Sequence, residues 1–90
     1  MSTYTFDCSS WDSVNAAHAD LSAKLEFPDY YGNNLDALWD MLAGWIEGPV
    51  TIRLRNAAAV RNLLGPAGER MMALLLEADA SIKGVHLRLD

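Results

Sequence analysis

An α/β domain with a three-stranded parallel sheet and four helices, in the order β-α-α-β-α-α-β, is predicted from three features of this 90-residue sequence. Three short stretches alternate apolar and polar residues, the period of a half-buried strand. The segments between them repeat apolar residues at helical spacing, punctuated by Pro28, Gly44 and the Gly65-Pro66 pair. Strands joined through helices favour parallel pairing with right-handed crossovers, and the helices then pack on the sheet.

The first strand is read from Tyr4, Phe6 and Cys8, which alternate with polar residues. Ser9-Ser10 follows, and Ser10 is the expected N-cap of a first helix whose stripe is Trp11, Val14, His18, Leu21 and Leu25. Pro28 ends that helix, because the residue before a proline is pushed out of the helical region. Asp29 to Asn34 reads as a loop, and Asn33 or Asn34 caps a second helix running to about Ala43. Its stripe is Leu35, Leu38 and Leu42, and Gly44 is placed to end it in a left-handed conformation. Val50 to Arg55 is the clearest strand. Asn56 is positioned to cap a short third helix ending at Gly65, and Pro66 suits the first turn of a fourth running to about Ala80. Val85 to Leu89 closes the sheet. Residues 1–90 form a single domain, without repeat or linker.

Composition narrows the function. Apolar residues make up 51% and charged residues 21%, an ordinary globular balance. The single cysteine, Cys8, has no partner for an internal disulfide, which suits a reducing compartment. The N-terminal residues Met1 to Asp7 lack the basic and apolar regions of a secretion signal, and no apolar run is long enough for a membrane. A cytoplasmic protein is expected. The net charge of −5 is localised: between Lys24 and Arg53 there is no base, but five acids, Glu26, Asp29, Asp36, Asp40 and Glu47. The rest of the chain balances. A concentrated negative field repels phosphates and so argues against direct binding of nucleic acid. It suits a basic protein surface, although a simple solvated acidic face would look the same from charge alone.

Enzymatic readings find little support. The Gly65–Gly68 run lacks the lysine and serine of a phosphate loop. His18, His86 and Cys8 have no metal-ligand spacing, and no cofactor is implied. His18 falls on the core stripe of the first helix and Cys8 on the apolar face of the first strand, so both read as structural. Asp36 and Asp40, at i,i+4, stack on one helical face about 6 Å apart at Cβ. A surface helix offers little desolvation to separate two carboxylates into acid and base. Their mutual repulsion is better relieved by a cationic partner than used in catalysis. Tyr30, Tyr31 and Trp39 lie beside these charges, as aromatics do in interface hot spots, while Trp39 and Trp45 can instead pack on a neighbouring helix.

The run Phe27-Pro28-Asp29-Tyr30-Tyr31-Gly32-Asn33-Asn34-Leu35-Asp36-Ala37-Leu38-Trp39-Asp40, continued by Gly44-Trp45, closely resembles the signature of the barstar family. The resemblance implies three parallel strands with four helices. It also implies tight one-to-one inhibition of a small, basic, secreted bacterial ribonuclease by a cytoplasmic protein that is monomeric when free. Asp40 would then be the central anchor, a carboxylate standing where the enzyme holds an RNA phosphate, and Asp36 a second charged contact. Tyr30 would pack on an enzyme histidine, with Asn34, Trp39 and Gly44 completing the patch and Ile46 at its rim. Glu77 aligns with a further acidic contact. Ser81 departs from the family, which carries an acid there, so the partner need not be barnase itself. Two other readings remain: a barstar-fold immunity or interaction module for a different basic toxin or regulator, and a small hydrolase using Asp36 and Asp40.

Overall fold

A computed structural model describes residues 2–90, leaving Met1 outside. The elements are β1 (Ser2–Asp7), α1 (Val14–Leu25), α2 (Leu35–Asp40), β2 (Val50–Arg55), α3 (Ala59–Ser81) and β3 (Val85–Leu89). The sheet order is β1-β2-β3, and both pairings are parallel. Alternation decides which face is buried. Phe6, Val50, Ile52, Leu54 and Val85 point into the core with Ala17, Leu21, Leu38, Met71 and Leu75 of the helices. The opposite face, including Thr5, Arg53 and Arg88 in one register row, carries the polar residues of the alternation.

Among the described residues three α-helices are present, which corrects the expected four. The two helices predicted around Gly65 and Pro66 abut with no linker and form the single element α3. Gly65 alone leaves the helical region, at φ 59° and ψ −145°, a conformation costly for any residue with a Cβ. Pro66 needs no N–H donor at the start of the second limb, so helix resumes at once. The limbs meet closely, and a Cβ on the buried Gly68 would lie 2.9 Å from Val60 Cγ1.

The caps also differ from expectation. Ser13, not Ser10, caps α1, its hydroxyl accepting from Ala16 N–H at 3.0 Å. Ser10 belongs to a short 3-10 turn, Cys8–Ser10, that Asp7 caps. Trp11 therefore precedes the helix, yet it is buried, with its indole N–H on Asp20 at 2.8 Å. Helix α1 stops before Pro28, at Glu26, which takes a left-handed conformation. Asn56 does not cap α3 with its side chain. It donates to Asp7 at 2.9 Å instead, tying the ends of β1 and β2 together.

Candidate protein-binding site

The loop before α2 is held from beneath. Phe27 and Tyr31 are buried with ring centroids 4.8 Å apart, and the Tyr31 hydroxyl meets His18 Nδ1 at 2.7 Å. His18, predicted to be a core residue, is 1% exposed, and burial lowers its pKa from 6.5, keeping the ring neutral. Burial also pushes the Tyr31 phenol up to about 12. With Tyr31 fixed inward, the adjacent Tyr30 projects outward and is 73% exposed.

Asn34 starts α2. Its side-chain oxygen accepts from Ala37 N–H at 2.8 Å, and its amide donates to Gly32 O. Asn33 beside it takes a positive φ of 51° and leaves the capping to Asn34. Leu38, Met41 and Leu42 are buried, and Trp39 is half-buried against the same core. Asp36 and Asp40 share the exposed side. Among the described residues neither forms an ion pair or a side-chain hydrogen bond.

Beyond Asp40 the helix widens into one π turn, Met41–Trp45, closed by Ile46 N–H on Met41 O at 3.0 Å. The extra residue in the turn rotates the chain beyond it, a common device at functional sites. Gly44 sits inside this turn with no positive φ, so the expected left-handed stop there is corrected: the helix ends by widening. A Cβ at Gly44 would meet nothing within 4 Å. Ile46 is half-buried at the end of the turn. Trp45 swings out, 45% exposed, donating its indole N–H to Glu26 O at 3.1 Å. Its ring meets Tyr30 edge-on, centroids 6.5 Å apart.

The fold thus gathers Tyr30, Asn34, Asp36, Trp39, Asp40, Gly44 and Ile46 on one loop–helix–turn segment. Glu77 is exposed on α3, with no hydrogen bond to that segment, and its carboxylate accepts from Ser81 Oγ at 3.1 Å. Trp45 was named in the sequence motif but not as a contact; the π turn that exposes it has no readable signal. Elsewhere the chemistry is quiet. Cys8 is buried, its thiol raised to about 11 by burial and the nearby Asp7 and Asp20, which disfavours a thiolate. No group of three or more His, Cys, Asp or Glu among the described residues is placed to hold a metal, and no helix is long and apolar enough to cross a membrane.

The family model described as Barstar (barnase inhibitor) matches residues 1–89. A Bacillus subtilis (strain 168) protein named "Putative ribonuclease inhibitor YrdF" is 41% identical over 73 residues, 81% of this chain and 80% of that protein.

Proposed function

The chain belongs to the barstar family, and we propose that it is a cytoplasmic, non-enzymatic inhibitor of a small, basic, secreted bacterial ribonuclease. It binds one-to-one, inserting α2 and the loop before it into the active site. One observation carries this reading. All five acids between Lys24 and Arg53 are exposed, and among the described residues none has an intramolecular ion-pair partner.

Unbalanced like charges are a cost to the free protein that a cationic cleft relieves. An enzyme site built to hold RNA phosphates supplies such a cleft, and the long-range field steers the encounter. Asp40, exposed and unpaired, takes the place of a phosphate against arginine and histidine. Asp36 adds a second charge one turn earlier. Tyr30 supplies an aromatic face beside them, and the edge-on contact with Trp45 limits its freedom before binding. Gly44 leaves a flat surface on which the enzyme backbone closes. The protein is monomeric before it docks.

The test is RNA cleavage by a panel of small basic bacterial ribonucleases, titrated with the protein. Activity of the cognate enzyme should vanish at one equivalent. Full activity of every enzyme in the panel, together with salt-sensitive binding to another basic protein, would instead make this an interaction module on the same scaffold.

A further inference from the structure

A three-stranded sheet has two open edges, here β1 and β3. In a parallel ladder, both backbone groups of every second residue point away from the neighbouring strand. Ser2 N–H donates to Pro49 O, and Asp90 N–H to Leu54 O, which fixes the phase on each side. Thr3, Thr5 and Asp7 therefore point outward from β1, and Val85, Leu87 and Leu89 from β3.

Several of these outward groups are already taken. On β1, the Lys24 ammonium donates to Thr5 O at 2.7 Å, and Ser10 Oγ donates to Asp7 O at 2.8 Å. On β3, Leu87 N–H donates to the Asp79 carboxylate at 2.8 Å, and Val85 N–H to Ile82 O at 3.1 Å. The pattern is selective: β1 loses acceptors and β3 loses donors. Were a second copy to lay its β1 along this β3, continuing the parallel sheet, half of the new ladder would run from N–H groups of β3 to carbonyls of β1. Two of the three such groups on each strand are withdrawn.

We propose that Lys24 and Asp79 are edge guards that stop copies of this chain from joining head to tail through their sheets. Such a contact is heterologous and need not close on itself, so its natural product is an open chain of molecules. Charged side chains at sheet edges are a general means of preventing this. Lys24 is held at its post, lying 4.8 Å above the buried Phe6 ring and 3.8 Å from Asp20. Asp79 projects from α3, on the far side of the sheet order, so each edge has its own guard. The inference stands apart from the inhibitor reading of α2.

Sedimentation across a wide concentration range tests it. The wild-type protein should remain at the 9.9 kDa of one chain. The Lys24→Ala/Asp79→Ala double variant should at least double its average mass as concentration rises. Lys24→Arg/Asp79→Asn, which keeps a donor and an acceptor, should behave as wild type. Adding Thr5→Pro to the alanine pair should restore the single chain, since Thr5 N–H faces outward and its loss breaks no existing ladder bond. A folded alanine pair that stays a single chain, or association that Thr5→Pro leaves unchanged, would overturn the proposal. Should the alanine pair fail to fold, amide exchange of the wild type decides. Leu87 N–H should exchange on the order of tenfold more slowly than Leu89 N–H on the same edge. Equal rates would mean that Asp79 does not guard the strand.

Discussion

The open face of the sheet carries Asp7, Arg53, Arg55, Arg88 and Asp90, while α2 and its flanks carry Glu26, Asp29, Asp36, Asp40 and Glu47. On the sheet all of these but Arg55 are settled by bonds within the molecule. Asp90 bridges Arg53 and Arg88, and Asp7 accepts from Ser9 and Asn56. The hydrogen bonds from Ser9 and Asn56 hold the Asp7 carboxyl down at about 2, and the Arg53 guanidinium likewise lowers Asp90. Around α2 no acid has such a partner among the described residues. Charge on the first surface serves the fold, whereas charge on the second, in the inhibitor reading proposed above, is available to a partner. Substitutions on the two surfaces should therefore fail differently, the first in stability and the second in binding.

The largest effect is expected at Asp40. Asp40→Ala should weaken ribonuclease binding by about 2–5 kcal/mol, the range for a desolvated charged anchor, to which the barnase–barstar complex itself contributes. Its folding stability should stay within about 0.5 kcal/mol of wild type by denaturant titration. A comparable loss of stability would erase the distinction between the two surfaces. Gly44→Ala sharpens it without touching charge. Open space at that position predicts unchanged stability, but a methyl inside a close interface should cost roughly 1–3 kcal/mol of binding, by analogy with overpacking.

Beneath α2 and the loop before it, Tyr31→Phe leaves His18 Nδ1 buried without its partner. A stability loss of about 1–3 kcal/mol is expected in thermal or denaturant unfolding. The same pair contributes to the pH dependence of the fold at both ends. His18 has a folded pKa below its unfolded 6.5, so its contribution is whole above that pH and is lost as pH falls through the folded value. Tyr31 acts at the other end, its contribution fading as pH rises from 10 towards 12. Unfolding followed across pH should show both shoulders, with the acidic one reduced in His18→Gln. The smallest effect on binding is expected from Asp7→Ala, which should lower the melting temperature while leaving ribonuclease affinity unchanged.

Where the physics is local, the residues announced the structure. The strands followed from alternation, except that Cys8, expected in the first, falls in the turn after it, and the acid-rich helix from three leucines and an asparagine cap. What escaped depended on neighbours distant in sequence or on small choices between equivalents. Ser10 and Ser13 both offer a hydroxyl, but Ser10 donates its own back to Asp7 O, and Ser13 caps the helix after the buried Trp11. Gly65-Pro66 predicts a break correctly but not its length, and a break of one residue leaves one element rather than two. Gly44 looked like a left-handed stop because that is where glycine is usually spent. A π turn uses ordinary helical residues, so neither it nor the outward turn of Trp45 was legible. Of the candidate contacts, Tyr30, Asp36, Trp39 and Asp40 are proposed from charge and aromatics that cluster in sequence. Asn34, Gly44, Ile46 and Glu77 as contacts rest on family resemblance alone.

Calorimetric titration of a ribonuclease that the protein inhibits, against wild type, Asp40→Ala and Asp7→Ala, tests the central claim most directly. Nanomolar or tighter one-to-one binding, weakened by added salt and by Asp40→Ala but not by Asp7→Ala, is the predicted result. Equal losses from the two substitutions would contradict it, because the unpaired acids of α2 would then be no more a docking surface than the paired charges of the sheet.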